Sequence, residues 1–129
     1  MNDKTIADKL YLKTARSLAI YNGAANPGIV AQLPQDMLVA DGVPAADVKA
    51  DVVLLFAFNP PDLDQWWDEA LARLNEKGSL WIAFLKQSAP KATELTKDVI
   101  YDYAKERGVT GVALISMDAD WSAVRLKRI

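Results

Sequence analysis

Two side chains in this chain combine a reactive or binding type with a position from which it can be used. Lys86 closes an almost wholly apolar run, Ser79 to Leu85, and a helical pattern follows. A cation there, close to the free N–H groups of a helix start, suits a phosphate or a carboxylate. Trp121 opens the last apolar stretch. It offers an aromatic wall to a planar ligand, although aromatic residues more often supply buried area. Ser88 stands just beyond Lys86, Asn22 and Gly23 follow the first apolar run, and Asn59 follows the longest one. Asp118 and Asp120 stand two apart, a weak pattern for a divalent cation and an ordinary one for a tight turn. Arg125 lies inside the last apolar stretch and needs an acidic partner if it is buried.

Absent residue types narrow the chemistry further. There is no Cys, hence no disulfide, thiolate nucleophile or zinc–thiolate site. There is no His, hence no imidazole ligand, no Ser–His triad and no ordinary base near neutral pH. Acid–base work would fall to a perturbed Asp, Glu, Lys or Tyr, and a metal to an all-oxygen site.

The elements that must hold these residues are organised by Asp51 to Asn59: an acid, seven apolar residues, and an Asn-Pro stop. The run is too short for a bilayer, and its β-branched and aromatic content predicts a strand buried on both faces. Such a strand needs helices above and below. Residues 3–10 predict a short helix and Arg16 to Tyr21 strand one. Asn26-Pro27 then caps a helix that Pro34 ends. Met37 to Ala40 reads as strand two and residues 51–58 as strand three. A helix capped by Asp62, with Gln65 completing a capping box, runs to Lys77-Gly78. Its stripe carries Leu63, Trp66, Trp67, Ala70, Leu71 and Leu74, and Trp67 at the stripe's edge would be a dimer anchor. Ser79 to Leu85 is strand four, with Trp81 in the core. A helix bearing Ala92, Leu95, Val99, Tyr103 and Ala104 follows. Strand five is Gly111 to Met117 and strand six Trp121 to Leu126, joined by a tight turn. This alternation predicts one α/β domain over residues 1–129, a three-layer α/β/α sandwich with a mainly parallel mixed sheet and an antiparallel last strand.

At 129 residues with a net charge of -2, the chain has room for one core and lacks the basic face that nucleic acid demands. Its first eighteen residues mix charge with apolar types, without a leader's apolar centre, and no run is long enough to span a membrane. A cytoplasmic protein is the default expectation, with no nucleic-acid or membrane partner.

The step Leu74-Asn75-Glu76-Lys77-Gly78-Ser79-Leu80-Trp81-Ile82 and the closing hairpin resemble the Rossmann-like fold of S-adenosylmethionine-dependent methyltransferases. The resemblance implies strand order 2-1-3-4-6-5. It also implies a cofactor at the turn after strand one, with an acid after strand two, here Asp41, on the ribose. Here that turn, Asn22-Gly23-Ala24-Ala25-Asn26, has one glycine where those enzymes usually have several. A second resemblance runs through Ala7-Asp8-Lys9-Leu10, Asp51 to Phe56, Leu80-Trp81-Ile82-Ala83, Lys86, Leu95-Thr96-Lys97-Asp98, Asp118 and Trp121-Ser122-Ala123 with Arg125. These pieces resemble a family of small bacterial proteins known only as a domain of unknown function.

In open α/β sheets ligands sit beyond the carboxyl ends of the strands, where the strand order reverses. Asn22, Gly23, Asn59, Lys86, Ser88 and Trp121 would gather there. The leading expectation is a non-catalytic domain that binds a small anionic ligand or a protein partner. A methyltransferase-like enzyme with an altered loop, using Asp41, is the second. A structural or interaction protein, paired with a second copy of itself, is the third.

Overall fold

The computed structural model describes residues 5–39 and 43–129. Five strands form one sheet: β1 Leu18–Tyr21, β2 Ala50–Phe56, β3 Leu74–Leu85, β4 Val109–Ser116 and β5 Trp121–Arg128, in the order β1-β2-β3-β5-β4. β1, β2 and β3 run parallel, and β5 inserts antiparallel between β3 and β4. The helices are α1 Ile6–Lys9, α2 Pro27–Val30, α3 Pro60–Arg73 and α4 Lys97–Lys105. Among the described residues, no helix is long and apolar enough to cross a membrane.

β2 is the spine. From Val52 to Ala57 no residue is more than 5% exposed, and each large side chain so buried contributes roughly 1.5–3 kcal/mol. On one face, Val53 and Leu55 meet Leu63, Trp67 and Ala70 of α3, with Ile100 and Ala104 of α4 beside them. On the other, Leu54, Phe56 and Trp81 are covered by Ile6, Leu10, Leu12, Ile29 and Leu33, from short helices and turns.

Four expectations are corrected. The six-strand order gives way to five strands among the described residues, because Met37 to Val39 make no full strand. Gln35–Met37 is a tight 3-10 turn, and only Leu38 bridges, in parallel, to Leu18. The Gln35 amide donates to the carbonyls of Val30 and Leu33, holding the turn. Asp41 lies outside the described residues.

The helix expected from Asp62 begins at Pro60 instead. Asn59 caps it by accepting from the Asp62 N–H (2.9 Å), while Asp62 accepts from the Phe58 N–H (3.0 Å). The cap stands three residues earlier than expected, and Asn59-Pro60 is a helix start like Asn26-Pro27, where Asn26 accepts from the Ile29 N–H.

The same helix ends at Arg73 rather than Lys77. Arg128 donates to the carbonyls of Leu71, Leu74 and Asn75, and Leu74 already pairs with Ala50. The next pair is Val52 with Ser79, so residues 75–78 bulge out opposite Asp51. The last helix also shortens: Thr96 caps α4 by accepting from Val99, leaving Ala92 and Leu95 in the loop before it.

Candidate functional site

At the carboxyl rim of the parallel strands, polar side chains bind one another. Asn22 sits in the left-handed region (φ 57) and donates its amide to the Phe56 carbonyl at 2.9 Å, tying the end of β1 to the end of β2. Gly23 and the next two residues close into a 3-10 turn. Asn59 caps α3, and Ser88 is exposed in a turn. The Lys86 ammonium donates to Ser116 Oγ (2.6 Å) and the Asp118 carbonyl (2.7 Å), while its N–H donates to the Asp120 carbonyl (2.8 Å). Asp118 accepts from the N–H groups of Asp120 and Trp121 and from the Asn26 amide. Trp121 is brought to the same turn, but its ring is buried against Phe56 (5.6 Å) and Phe58 (5.3 Å). No group of three or more acidic residues is placed to hold a metal among the described residues.

Space lies instead beside β1. A cavity of about 460 Å³ is lined by Tyr21, Asn22 and Gly23, by the segments around Val39 and Pro44, and by Trp66, Glu69 and Arg73 of α3. Trp66 and Tyr21 form two aromatic walls with centroids 5.9 Å apart. Arg73 is only 6% exposed. Its Nε donates to the Tyr21 hydroxyl (3.1 Å), one Nη to the Val48 carbonyl (2.9 Å) and the other to the Val43 carbonyl. Burial pushes the Tyr21 phenol above its ordinary range; Arg73 pulls the other way and Glu69 adds to the rise. Tyr21 is therefore a protonated hydrogen-bonding group at neutral pH and not a base.

Asn22 and Gly23, singled out from the sequence, line this cavity. Tyr21, Glu69 and Arg73 were not singled out, although one signal was present. Arg73 follows Trp66 by seven residues and Ala70 by three, which puts a charge on the buried stripe. Trp67, by contrast, is 1% exposed and packs edge-on to Tyr103 at 5.1 Å, so it is closed off as a dimer anchor.

A second cavity, about 300 Å³, opens on the opposite face. It is lined by Leu10, Tyr11, Asp51, Lys77, Ser79 and Arg125, among others. Arg125 finds no acidic partner there among the described residues: its Nε donates to Ser79 Oγ (2.9 Å), and its guanidinium lies 4.8 Å from the centre of the Tyr11 ring.

No protein-family model matches the chain, and no curated protein matches its sequence. Solved structures do match its fold. A ribosomal protein L11 methylase from Lactobacillus delbrueckii subsp. bulgaricus superposes with a TM-score of 0.60 at 12% identity, over 95% of this chain and 74% of its own. The glycopeptide N-methyltransferase MtfA gives 0.58 at 11% identity, over 95% of this chain and 89% of its own. MtfA has also been solved with S-adenosylmethionine. An O-methyltransferase family protein from Burkholderia thailandensis gives 0.61 at 11% identity, and this chain spans only 54% of its length. The fold is methyltransferase-like, and at such identities the likeness concerns the fold alone.

Proposed function

We propose that this chain is a non-catalytic binding module on a methyltransferase-like fold, taking a planar ligand of nucleoside size in the cavity beside β1. The observation that carries the reading is the cavity itself. Its volume of about 460 Å³ falls within the usual range for small-molecule sites, roughly 300–1,000 Å³. Trp66 and Tyr21 supply flat apolar walls, the Tyr21 hydroxyl and the Asn22 amide lie at the β1 end, and the Glu69 carboxylate can accept from ligand hydroxyl or amino groups. Arg73 holds Tyr21 and the Val43–Val48 segment in place and has no donor role left to play at the ligand.

The absence of transfer chemistry is supported by the carboxyl rim. Asn22, Asn59, Lys86 and Asp118 are engaged in holding the strand ends together, and Tyr21 keeps its proton. The turn after β1 does not fit the usual placement of S-adenosylmethionine. The turn holds one glycine, and a Cβ on Gly23 would lie 3.1 Å from the side chains of both Ile20 and Val30.

A second reading, an S-adenosylmethionine-dependent methyltransferase whose cofactor has moved into this cavity, is favoured by the fold of its structural neighbours. One titration separates the two. Isothermal calorimetry with adenosine, S-adenosylmethionine and S-adenosylhomocysteine is expected to show binding that Trp66→Ala abolishes and Glu69→Gln weakens about tenfold. No S-adenosylhomocysteine is expected to form on incubation with candidate acceptors. Heat from none of the three ligands overturns both readings, and turnover replaces the first with the second.

A further inference from the structure

We infer that the second cavity is an anion site, recognising a small carboxylate or phosphate through Arg125. Three features of the cavity support this.

Arg125 is half-buried within β5 and faces β3 across the register pair Trp81–Arg125. Among the described residues, only its Nε has a hydrogen-bond partner, Ser79, and none places a carboxylate within ion-pair distance. An arginine placed in a cavity without a counter-charge presents a planar fork of donors, matched to two coplanar oxygens.

The surroundings supply donors rather than acceptors. The Trp81 indole N–H, on the same face of the sheet though not part of the cavity's lining, is buried with no partner among the described residues. Lys77 stands on the cavity wall and makes no ion pair with a described residue. The one acid in the wall, Asp51, is already engaged by the Arg16 N–H (2.8 Å) and the Asn75 amide. Two cations against one occupied carboxylate leave a net positive wall.

The cavity is also built rather than incidental. Its floor is the 75–78 bulge, which only glycine permits at Gly78: a Cβ there would stand 2.7 Å from the Asp51 carbonyl oxygen. Its lid is Tyr11, held in the left-handed region at φ 60 with its ring stacked 6.3 Å from Trp81. Non-glycine residues in that region carry backbone strain, which persists where surrounding structure enforces it.

The test is amide-resolved NMR of the whole chain, titrated separately with inorganic phosphate and with malonate at constant ionic strength. Saturable shifts at Gly78, Ser79 and Arg125 in either arm are expected, and the saturating arm names the ligand chemistry. Arg125→Lys should weaken the response about tenfold, because a point charge cannot replace the fork. Arg125→Met should remove it. Lys77→Ala, on the wall and exposed, should weaken it severalfold, and provides the readout if the methionine variant fails to fold. Shifts that do not saturate, that spread over surface lysines, or that Arg125→Lys leaves unchanged overturn the site. Trp66→Ala, on the other face of the sheet, should leave this response intact.

Discussion

Lys86 and Arg125 are both cations set into the middle of the sheet, and their surroundings differ in kind. Lys86 stands at the carboxyl rim and meets a hydroxyl and a carbonyl of the β4–β5 turn. Arg125 stands on the other side of the same strand pairing and meets one hydroxyl and an aromatic face. The first cation closes the fold and the second is left facing a cavity. Charge type is therefore a poor guide to function; what decides it is whether the chain supplies the acceptors itself.

The strongest form of the engaged kind is Arg73. Arg73→Met is expected to cost about 3 kcal/mol, measured by urea unfolding, because it strands the buried Tyr21 hydroxyl and three backbone carbonyls. A loss below about 1 kcal/mol would mean those bonds do not hold the Val43–Val48 segment.

Lys86→Met and Arg125→Met put the comparison directly. The Lys86 variant should lose about 1.5 kcal/mol through two missing hydrogen bonds. The Arg125 variant should lose no more than about 1 kcal/mol, since removing a half-buried, unpaired charge offsets the lost Ser79 contact. Equal losses would break the comparison, because Arg125 would then be structural too.

The smallest effect comes from a third polar cluster, between α3 and α4. Tyr103 donates to Asp64 (2.7 Å) and lies under the Arg107 guanidinium. Its phenol is pushed up to about 12 from 10.0, by burial first and by the Asp64 hydrogen bond second, with Arg107 opposing. Unfolded, the phenol ionises near 10, while the folded form keeps its proton up to about 12. The unfolded state then binds fewer protons, so this contribution is complete below pH 10 and is lost as pH rises through about 12. Tyr103→Phe should flatten the alkaline fall in stability across that window, followed by circular dichroism. An unchanged fall would place the alkaline sensitivity elsewhere.

Asn-Pro occurs twice and shows what local pattern conveys. At Asn26-Pro27 it followed a polar loop, and the helix start was plain in the sequence. At Asn59-Pro60 it followed an apolar strand, so the same dipeptide read as a stop, and Asp62 took the cap that Asn59 makes. The sequence places Asn22, Asn59, Lys86 and Trp121 at strand ends, but the hydrogen bonds that engage the carboxyl rim join positions about thirty to ninety residues apart and leave no periodic trace.

The chain's own order of residues determined the α/β layering, the parallel core around β2 and the antiparallel final hairpin, because burial imposes a period and a run length that can be read along the chain. Only the tertiary structure decided which polar groups remain free. Arg125 lacks a carboxylate because strand register sets it opposite Trp81 and beside Ser79. Tyr11 reaches its guanidinium from more than a hundred residues away. Hydrogen bonds at such separations depend on where the elements finally sit, which no local pattern records.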